Sequence, residues 1–95
     1  MIKNITEKEF DSEISASKIL VDFYATWCGP CKMFGAVLEK YGETSEFDIL
    51  KLDVDNAQNI SLEYKIYSVP TLVLFKDGKE VKRISGFMTE NDLRK

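Results

Sequence analysis

The spacing of apolar residues changes several times along the chain, and each change predicts a new secondary-structure element. Residues 19–24 are apolar except for Asp22, which predicts a buried strand with one misfit acid. From Pro30 the apolar residues recur on one helical face, and this helix should end near Gly42. Residues 48–54 then alternate as a strand, with three large apolar residues on one face and a lysine among the other three.

The remaining segments predict three helices and two more strands. Thr6 has the spacing of a capping box with a glutamate and predicts a helix over residues 7–15. A short helix is expected over residues 57–64, and a final one begins at Thr89 and is cut short by the chain end. The two further strands cover residues 71–75, apolar on both faces, and 80–85, charged like a sheet edge; an Asp-Gly turn joins them.

The order of these elements indicates an α/β fold. Helices between the early strands imply parallel crossovers, and the Asp-Gly turn implies one antiparallel pair. We therefore expect a central mixed β-sheet of four to five strands with helices on both faces. The length of 95 residues suits one domain, spanning residues 1–95.

Charge and hydropathy argue against several classes of binding partner and location. The net charge is −3 and no cluster of basic residues stands out, which argues against nucleic acid or an anionic membrane surface as a partner. The first residues contain no apolar leader segment, and no apolar run approaches the roughly 18 residues of a membrane span. A cytoplasmic, reducing location is the resulting expectation.

Two cysteines and no histidine limit the chemistry further. They cannot complete a four-ligand zinc site within one chain, so no metal is expected. A Cys–His or Ser–His nucleophile pair is also excluded. The remaining candidate chemistry is that of the cysteines themselves.

The two cysteines lie between a predicted strand and a predicted helix. Cys28 falls at the helix N-terminus, where the macrodipole favours the thiolate, which is the reactive form. Cys31 is one turn further on, close enough for a disulfide that opens and closes with small local changes. We therefore expect Cys28 to attack a substrate disulfide and the less exposed Cys31 to resolve the mixed disulfide, while Pro30 stiffens the turn between them.

A structural disulfide and a pair of unrelated buried thiols are the alternatives. A disulfide that closes about four residues stabilises a fold by only ~2 kcal/mol, which a domain with its own core hardly needs. The flanking Trp27 and the intervening Gly29-Pro30 make unrelated thiols a poor explanation.

The motif also resembles a known family. Residues 21–32, which end in Trp-Cys-Gly-Pro-Cys-Lys, closely resemble the active-site segment of thioredoxins. Residues 69–71 (Val-Pro-Thr) and 75–78 (Phe-Lys-Asp-Gly) resemble the second signature region, and Gly86 matches the glycine after the final strand. The resemblance covers almost the whole chain and implies the thioredoxin fold.

The resemblance implies the following activity and partners. The chain would be a protein-disulfide reductase with no bound cofactor, and its redox-active centre would be the Cys28–Cys31 disulfide. An NADPH-dependent flavoprotein, thioredoxin reductase, would keep it reduced. Its substrates would be diverse disulfide-containing proteins.

Two charged residues have different interpretations from pattern and from resemblance. Periodicity alone favours a solvent-facing Asp22 at a sheet edge, whereas in thioredoxins the matching acid lies beneath the cysteines. There it would accept the proton of Cys31. Lys51 alone would be a solvated strand residue; the resemblance places it beside the acid, where its charge would tune Asp22.

The resemblance also implies a substrate groove. Pro70 alone fits the first position of a strand, but the resemblance implies a cis peptide bond facing the active site. The Val69 backbone would then pair with an extended substrate segment. The other groove residues implied are Trp27, Gly29, Pro30, Tyr64, Gly86 and Phe87; for Trp27 and Phe87, ordinary core packing is the alternative.

The chain departs from the family pattern in three places. Tyr24 stands where a tryptophan is common, and Gly35-Ala36 replaces a segment that often contains a proline. Gly35 should cost the helix about 1 kcal/mol relative to alanine. The last helix, from Thr89 to Lys95, is shorter than usual.

Three competing functions stay open at this point. An oxidant or isomerase would use the same chemistry in reverse, but such proteins often carry a histidine between the cysteines, and this chain has Gly29-Pro30. A binding module would use the groove and not the thiols. An iron–sulfur cluster could bridge two chains through their cysteines.

Overall fold

A five-stranded mixed sheet forms the centre of the computed structural model, which describes residues 2–94. Its strands are β1 (Ile2–Asn4), β2 (Ile19–Tyr24), β3 (Asp48–Asp53), β4 (Thr71–Lys76) and β5 (Lys79–Ser85). Its α-helices are α1 (Phe10–Glu13), α2 (Gly29–Gly42), α3 (Gln58–Glu63) and α4 (Glu90–Leu93), with single 3₁₀ turns at Glu7–Glu9 and Val54–Asn56. The predicted α/β fold with a central mixed sheet is confirmed.

Strand order places β2 at the centre of the sheet. The order is β1-β3-β2-β4-β5, with β3 parallel to both β1 and β2, and β4 antiparallel to both β2 and β5. Asp22 therefore lies between Lys51 of β3 and Leu72 of β4 in the register. The interpretation of Asp22 as a solvent-facing edge residue is wrong, because its exposed fraction is 0%.

The alternation of the strands divides the core into two apolar layers. One layer joins the sheet to α1 and α3 through fully buried residues such as Phe10, Phe23 and Phe75. The other joins it to α2 through Phe34 and Leu38, which are one helical turn apart and both 0% exposed. Burial of each such side chain contributes about 1.5–3 kcal/mol, and it fixes α2 across the sheet face that carries Asp22.

The ends of the chain differ most from the sequence predictions. Strand β1 was not predicted, since three residues are too few for a period and only pairing with β3 reveals it. The predicted helix 7–15 is a 3₁₀ turn followed by the four-residue α1. Thr89 is the N-cap of α4, and Lys95 lies outside the described residues.

The hairpin between β4 and β5 forms as the Asp-Gly pair predicts. Asp77 has φ 53° and Gly78 has φ 83°. Two successive positive φ angles define the turn whose twist matches that of paired strands, and aspartate and glycine tolerate them best.

Candidate active site

Cys28 caps the N-terminus of α2. Its extended backbone (φ −91°, ψ 113°) ends the loop after β2, and the helix begins at Gly29 with Pro30 in the first turn. The backbone N–H of Cys31 donates to Cys28 Sγ over 3.1 Å. Because a free helix N–H and the macrodipole both favour negative charge, this position favours a thiolate at Cys28 once the pair is reduced.

Cys28 and Cys31 form a disulfide, with their Cα atoms 5.2 Å apart. Cys28 is 5% exposed and Cys31 3%, so both residues lie almost entirely beneath the surface. The order of exposure is the predicted one. The difference is small enough that the helix cap and the groove, more than burial, distinguish the two sulfurs.

The segment before β4 forms the opposite wall of the site. The Val69–Pro70 peptide bond is cis, as the resemblance implies. The Val69 carbonyl oxygen lies 3.8 Å from Cys28 Sγ, which is a packing contact in the disulfide because that sulfur carries no proton. Gly86 donates its N–H to the Pro70 carbonyl over 2.8 Å and has φ +95°, which ties the end of β5 to this wall.

A groove of about 470 Å³ opens beside Cys28. Its walls carry no charged side chain and include Trp27, Gly29, Pro30, Tyr67, Ser68 and Val69. Trp27 is 71% exposed, and its indole Nε1–H donates to Asp55 Oδ2 over 2.8 Å. An apolar groove with an oriented indole beside the sulfur suits an extended chain segment better than a small charged ligand.

Asp22 is a buried carboxyl under α2. Neither of its oxygens has a hydrogen-bond partner among residues 2–94. Burial raises the pKa of Asp22 from its ordinary 3.8 to about 6, and the Lys51 ammonium opposes this rise. A carboxyl whose pKa lies near the working pH can both accept and return a proton.

Lys51 reaches the same space from β3. Its Nζ lies 4.8 Å from the centre of the Tyr24 ring, within cation–π range. It also lies directly below the backbone of α2 at Gly35. Lys51 is half-buried and sits beside Asp22 in the strand register, so the solvated interpretation of Lys51 is wrong.

The structure places the three aromatic residues predicted for the groove in three different surroundings. Trp27 lies in the groove, and its exposure excludes the core interpretation. Phe87 is 45% exposed and packs edge-on against Phe34 at 6.2 Å between ring centres. Tyr64 does not line the groove, because its ring packs in the core 5.4 Å from Phe10 and 5.5 Å from Phe75.

Sequence reasoning missed several residues of the groove. Tyr67 is 83% exposed and, with Ile66 and Ser68, continues the wall that Val69 begins. Proximity to the Val-Pro pair is the only signal that could have found them. Asp55, the partner of Trp27, lies on the 3₁₀ turn after β3, and nothing in its local pattern points to the indole.

The described part of the chain carries neither a metal cluster nor a membrane span. Within residues 2–94, no three His, Cys, Asp or Glu side chains are grouped so that they could hold a metal ion. None of the helices in that range combines the length and hydropathy needed to cross a membrane.

Comparison with known proteins agrees with this site. The family model described as thioredoxin matches residues 1–95. A thioredoxin from Staphylococcus aureus is 46% identical over 94 residues, which cover 97% of this chain and 90% of that protein.

Solved structures agree as well. A mutant thioredoxin from Halobacterium salinarum NRC-1 superposes with a TM-score of 0.91 at 38% identity, covering 98% of this chain and 84% of that one. Plasmodium falciparum thioredoxin superposes with a TM-score of 0.90 at 35% identity. The match covers 97% of this chain and 92% of that one. The chain therefore belongs to the thioredoxin family and is a thiol-disulfide oxidoreductase whose redox-active pair is Cys28 and Cys31.

Proposed function

We propose that the reduced pair passes two electrons to disulfides in other proteins in two exchange steps. The Cys28 thiolate attacks one sulfur of the substrate disulfide, forming a mixed disulfide and releasing the other sulfur as a thiolate. Cys31 then loses its proton and attacks Cys28 Sγ. The Cys28–Cys31 disulfide forms, and the second substrate sulfur leaves as a thiolate that takes up a proton.

The position of Cys28 at the N-cap of α2 is the observation that carries this proposal. Its sulfur accepts the Cys31 N–H over 3.1 Å and borders the groove, so it is the sulfur that an incoming disulfide meets. Cys31 lies inside the first helical turn, on the buried side of α2.

Asp22 is proposed as the proton acceptor for Cys31. Its carboxyl lies on the face of the sheet that α2 covers, and burial raises its pKa to about 6. An acid of this strength is largely ionised at neutral pH and can take the thiol proton as Cys31 attacks. Lys51 keeps the carboxylate form accessible by opposing the effect of burial.

Substrate docking is proposed for the groove beside Cys28. An extended segment of the substrate would lie against Trp27, Gly29 and Pro30 on one side and pair with the Val69 backbone on the other. The cis bond before Pro70 and the Gly86 N–H hold that wall in place. Phe87, half-exposed beside Phe34, extends the docking surface beyond the groove.

Family membership indicates the classes of partner, and the specific reductase and the location are our proposals. Membership of the thioredoxin family implies a reductase and disulfide-containing substrates as classes of partner. We assign the reductase to the NADPH-dependent flavoprotein class and the working location to the cytoplasm. Residues 1–95 would act as one domain, without a bound cofactor beyond the disulfide itself.

The reduction potential tests the direction of electron flow. The Cys28–Cys31 pair is equilibrated with dithiothreitol, and Trp27 fluorescence and free thiols are followed. A value near about −270 mV supports a reductant. A value of about −180 to −120 mV would instead assign the chain to the oxidants and isomerases.

A further inference from the structure

Gly35 lies in the interior of α2, on its buried side, where a glycine is unusual. Glycine lowers helix stability relative to alanine, and no turn or positive φ requires it at this position. The reason for a glycine has to lie in the space that its missing side chain leaves open.

That space contains the Lys51 ammonium. A Cβ built at Gly35 would lie 3.2 Å from Lys51 Nζ, tighter than an ordinary van der Waals contact. Within residues 2–94, no other atom outside the helix and the neighbouring residues would lie within 4 Å of it. The ring of Tyr24 bounds the same ammonium from β2, at 4.8 Å from its centre.

We infer that Gly35 is a positioning residue, whose missing side chain admits the Lys51 ammonium beneath α2 and so holds this charge beside Asp22. The inference rests on the proposed pairing of Lys51 with Asp22 and extends it to a third residue. Gly35 is not among the residues that line the groove, and the space beside its Cα opens toward Lys51. It acts only through Lys51.

The direction of the effect follows from the surroundings of Lys51. The Tyr24 ring lies on one side of the ammonium, 4.8 Å away at its centre, and the lysine is half-buried, so part of it reaches water. A methyl group at residue 35 would push against the ammonium, which is the far end of a flexible side chain, and we expect the ammonium to move toward the solvent. The pKa of Asp22 would then rise further, because Lys51 is the charge that lowers it.

The residues near this pair belong to four elements. On β2, burial raises the pKa of Tyr24, and the charges of Asp53 on β3 and of Asp22 raise it further. β4 presents the uncharged Leu72 to Asp22. From α2, Lys32 and Glu39 are on the exposed side, and the two cysteines do not titrate in the disulfide.

The test is the titration of Asp22 in the oxidised protein, followed by the ¹³C signal of its carboxyl carbon. The signal is assigned by its loss in Asp22→Asn. In Gly35→Ala the midpoint should move up by roughly half a pH unit. In Lys51→Met it should rise as well, and adding Gly35→Ala to that variant should produce no further shift.

Ala36→Gly is the matched control. It changes glycine content at the neighbouring, exposed position of the same helix, so it alters helix stability and should leave the Asp22 midpoint in place. A Gly35→Ala midpoint that stays in place, moves down, or rises equally without Lys51 overturns the inference.

Failure of this inference is distinct from failure of the proposed function. The titration reports only the charge environment of Asp22, whether or not that acid serves Cys31. If Asp22→Asn reduces protein disulfides at the wild-type rate, the proton-transfer role is wrong, and the Gly35 result still stands on its own.

Discussion

Asp22 and Lys51 occupy the same register position on neighbouring parallel strands, under the helix that begins at the active-site cysteines. Burial acts on the carboxyl more strongly than the lysine does, so its pKa is raised to about 6 in spite of the adjacent charge. The pair therefore holds a proton that can be exchanged near neutral pH, in a place that water reaches poorly.

Asp22 should make the stability of the protein depend on pH. Below about pH 3 the acid is protonated in both the folded and the unfolded chain. As pH rises, the unfolded chain releases the proton first, so stability falls until the pH passes the folded pKa of about 6. The shift of about two pH units corresponds to roughly 3 kcal/mol of unfolding free energy lost between pH 3 and 8, most of it above pH 4.

Denaturant unfolding of the oxidised protein at pH 4, 6 and 8 checks this expectation. Asp22→Asn should remove the part of the fall in unfolding free energy with pH that Asp22 causes. At pH 8 this variant should unfold at a higher denaturant concentration than the wild type. Equal pH slopes for the two proteins would contradict a raised pKa for Asp22.

The roles of the two cysteines should separate in trapping experiments. Cys31→Ser leaves the attacking sulfur and removes the resolving one, so the mixed disulfide with a protein substrate should accumulate. Cys28→Ser should form little of it, because Cys31 lacks the helix-cap position of Cys28 and is not among the residues that line the groove. Non-reducing gel electrophoresis after mixing with an oxidised substrate measures the mixed disulfide that each variant forms. Equal trapping by the two variants would contradict the assignment of Cys28 as the attacking and Cys31 as the resolving residue.

The hydrogen bond from Trp27 to Asp55 should matter for docking. Asp55→Ala removes the acceptor and lets the exposed indole leave its orientation over the groove. A loss of about 1 kcal/mol is expected, or roughly a fivefold higher KM for a protein disulfide, with kcat little changed. Asp11→Ala, a change of the same type at an exposed position of α1, serves as a control, and an equal KM effect there would remove Asp55 from docking.

Gly86 should tolerate alanine poorly for a purely conformational reason. A Cβ at this position would meet no atom within 4 Å, but the φ of +95° is one that L-residues rarely adopt. Gly86→Ala should therefore lower the unfolding free energy by about 1–2 kcal/mol. Gly29→Ala, where a Cβ also has open space and φ is not positive, should cost no stability; equal losses would contradict this explanation.

Local pattern was sufficient for the central elements of the fold. The apolar period of α2, the alternation of β3 and the Asp77-Gly78 turn each depend on residues close together in the chain, and all three formed as expected. Local pattern failed at β1, where three residues become a strand only through pairing with β3.

In the active site, too, some features follow from local pattern and others depend on tertiary structure. The Cys28-Gly29-Pro30-Cys31 spacing and its place at a helix start determine the redox chemistry, because both are local properties of the chain. The surroundings of Asp22 were misjudged from periodicity, since a lone acid in a strand can face water or lie buried. Only strand order, which places β2 at the centre under α2, decides between these.

By itself, then, the sequence determined the central elements, the cysteine motif and the kind of reaction, which are properties carried within a few consecutive residues. The tertiary structure alone decided that Tyr64 belongs to the core, that Tyr67 lines the groove, that Asp55 orients Trp27, and that Gly35 makes room for Lys51. These contacts join residues far apart in the chain, and their energies depend on burial and distance, which no local pattern contains.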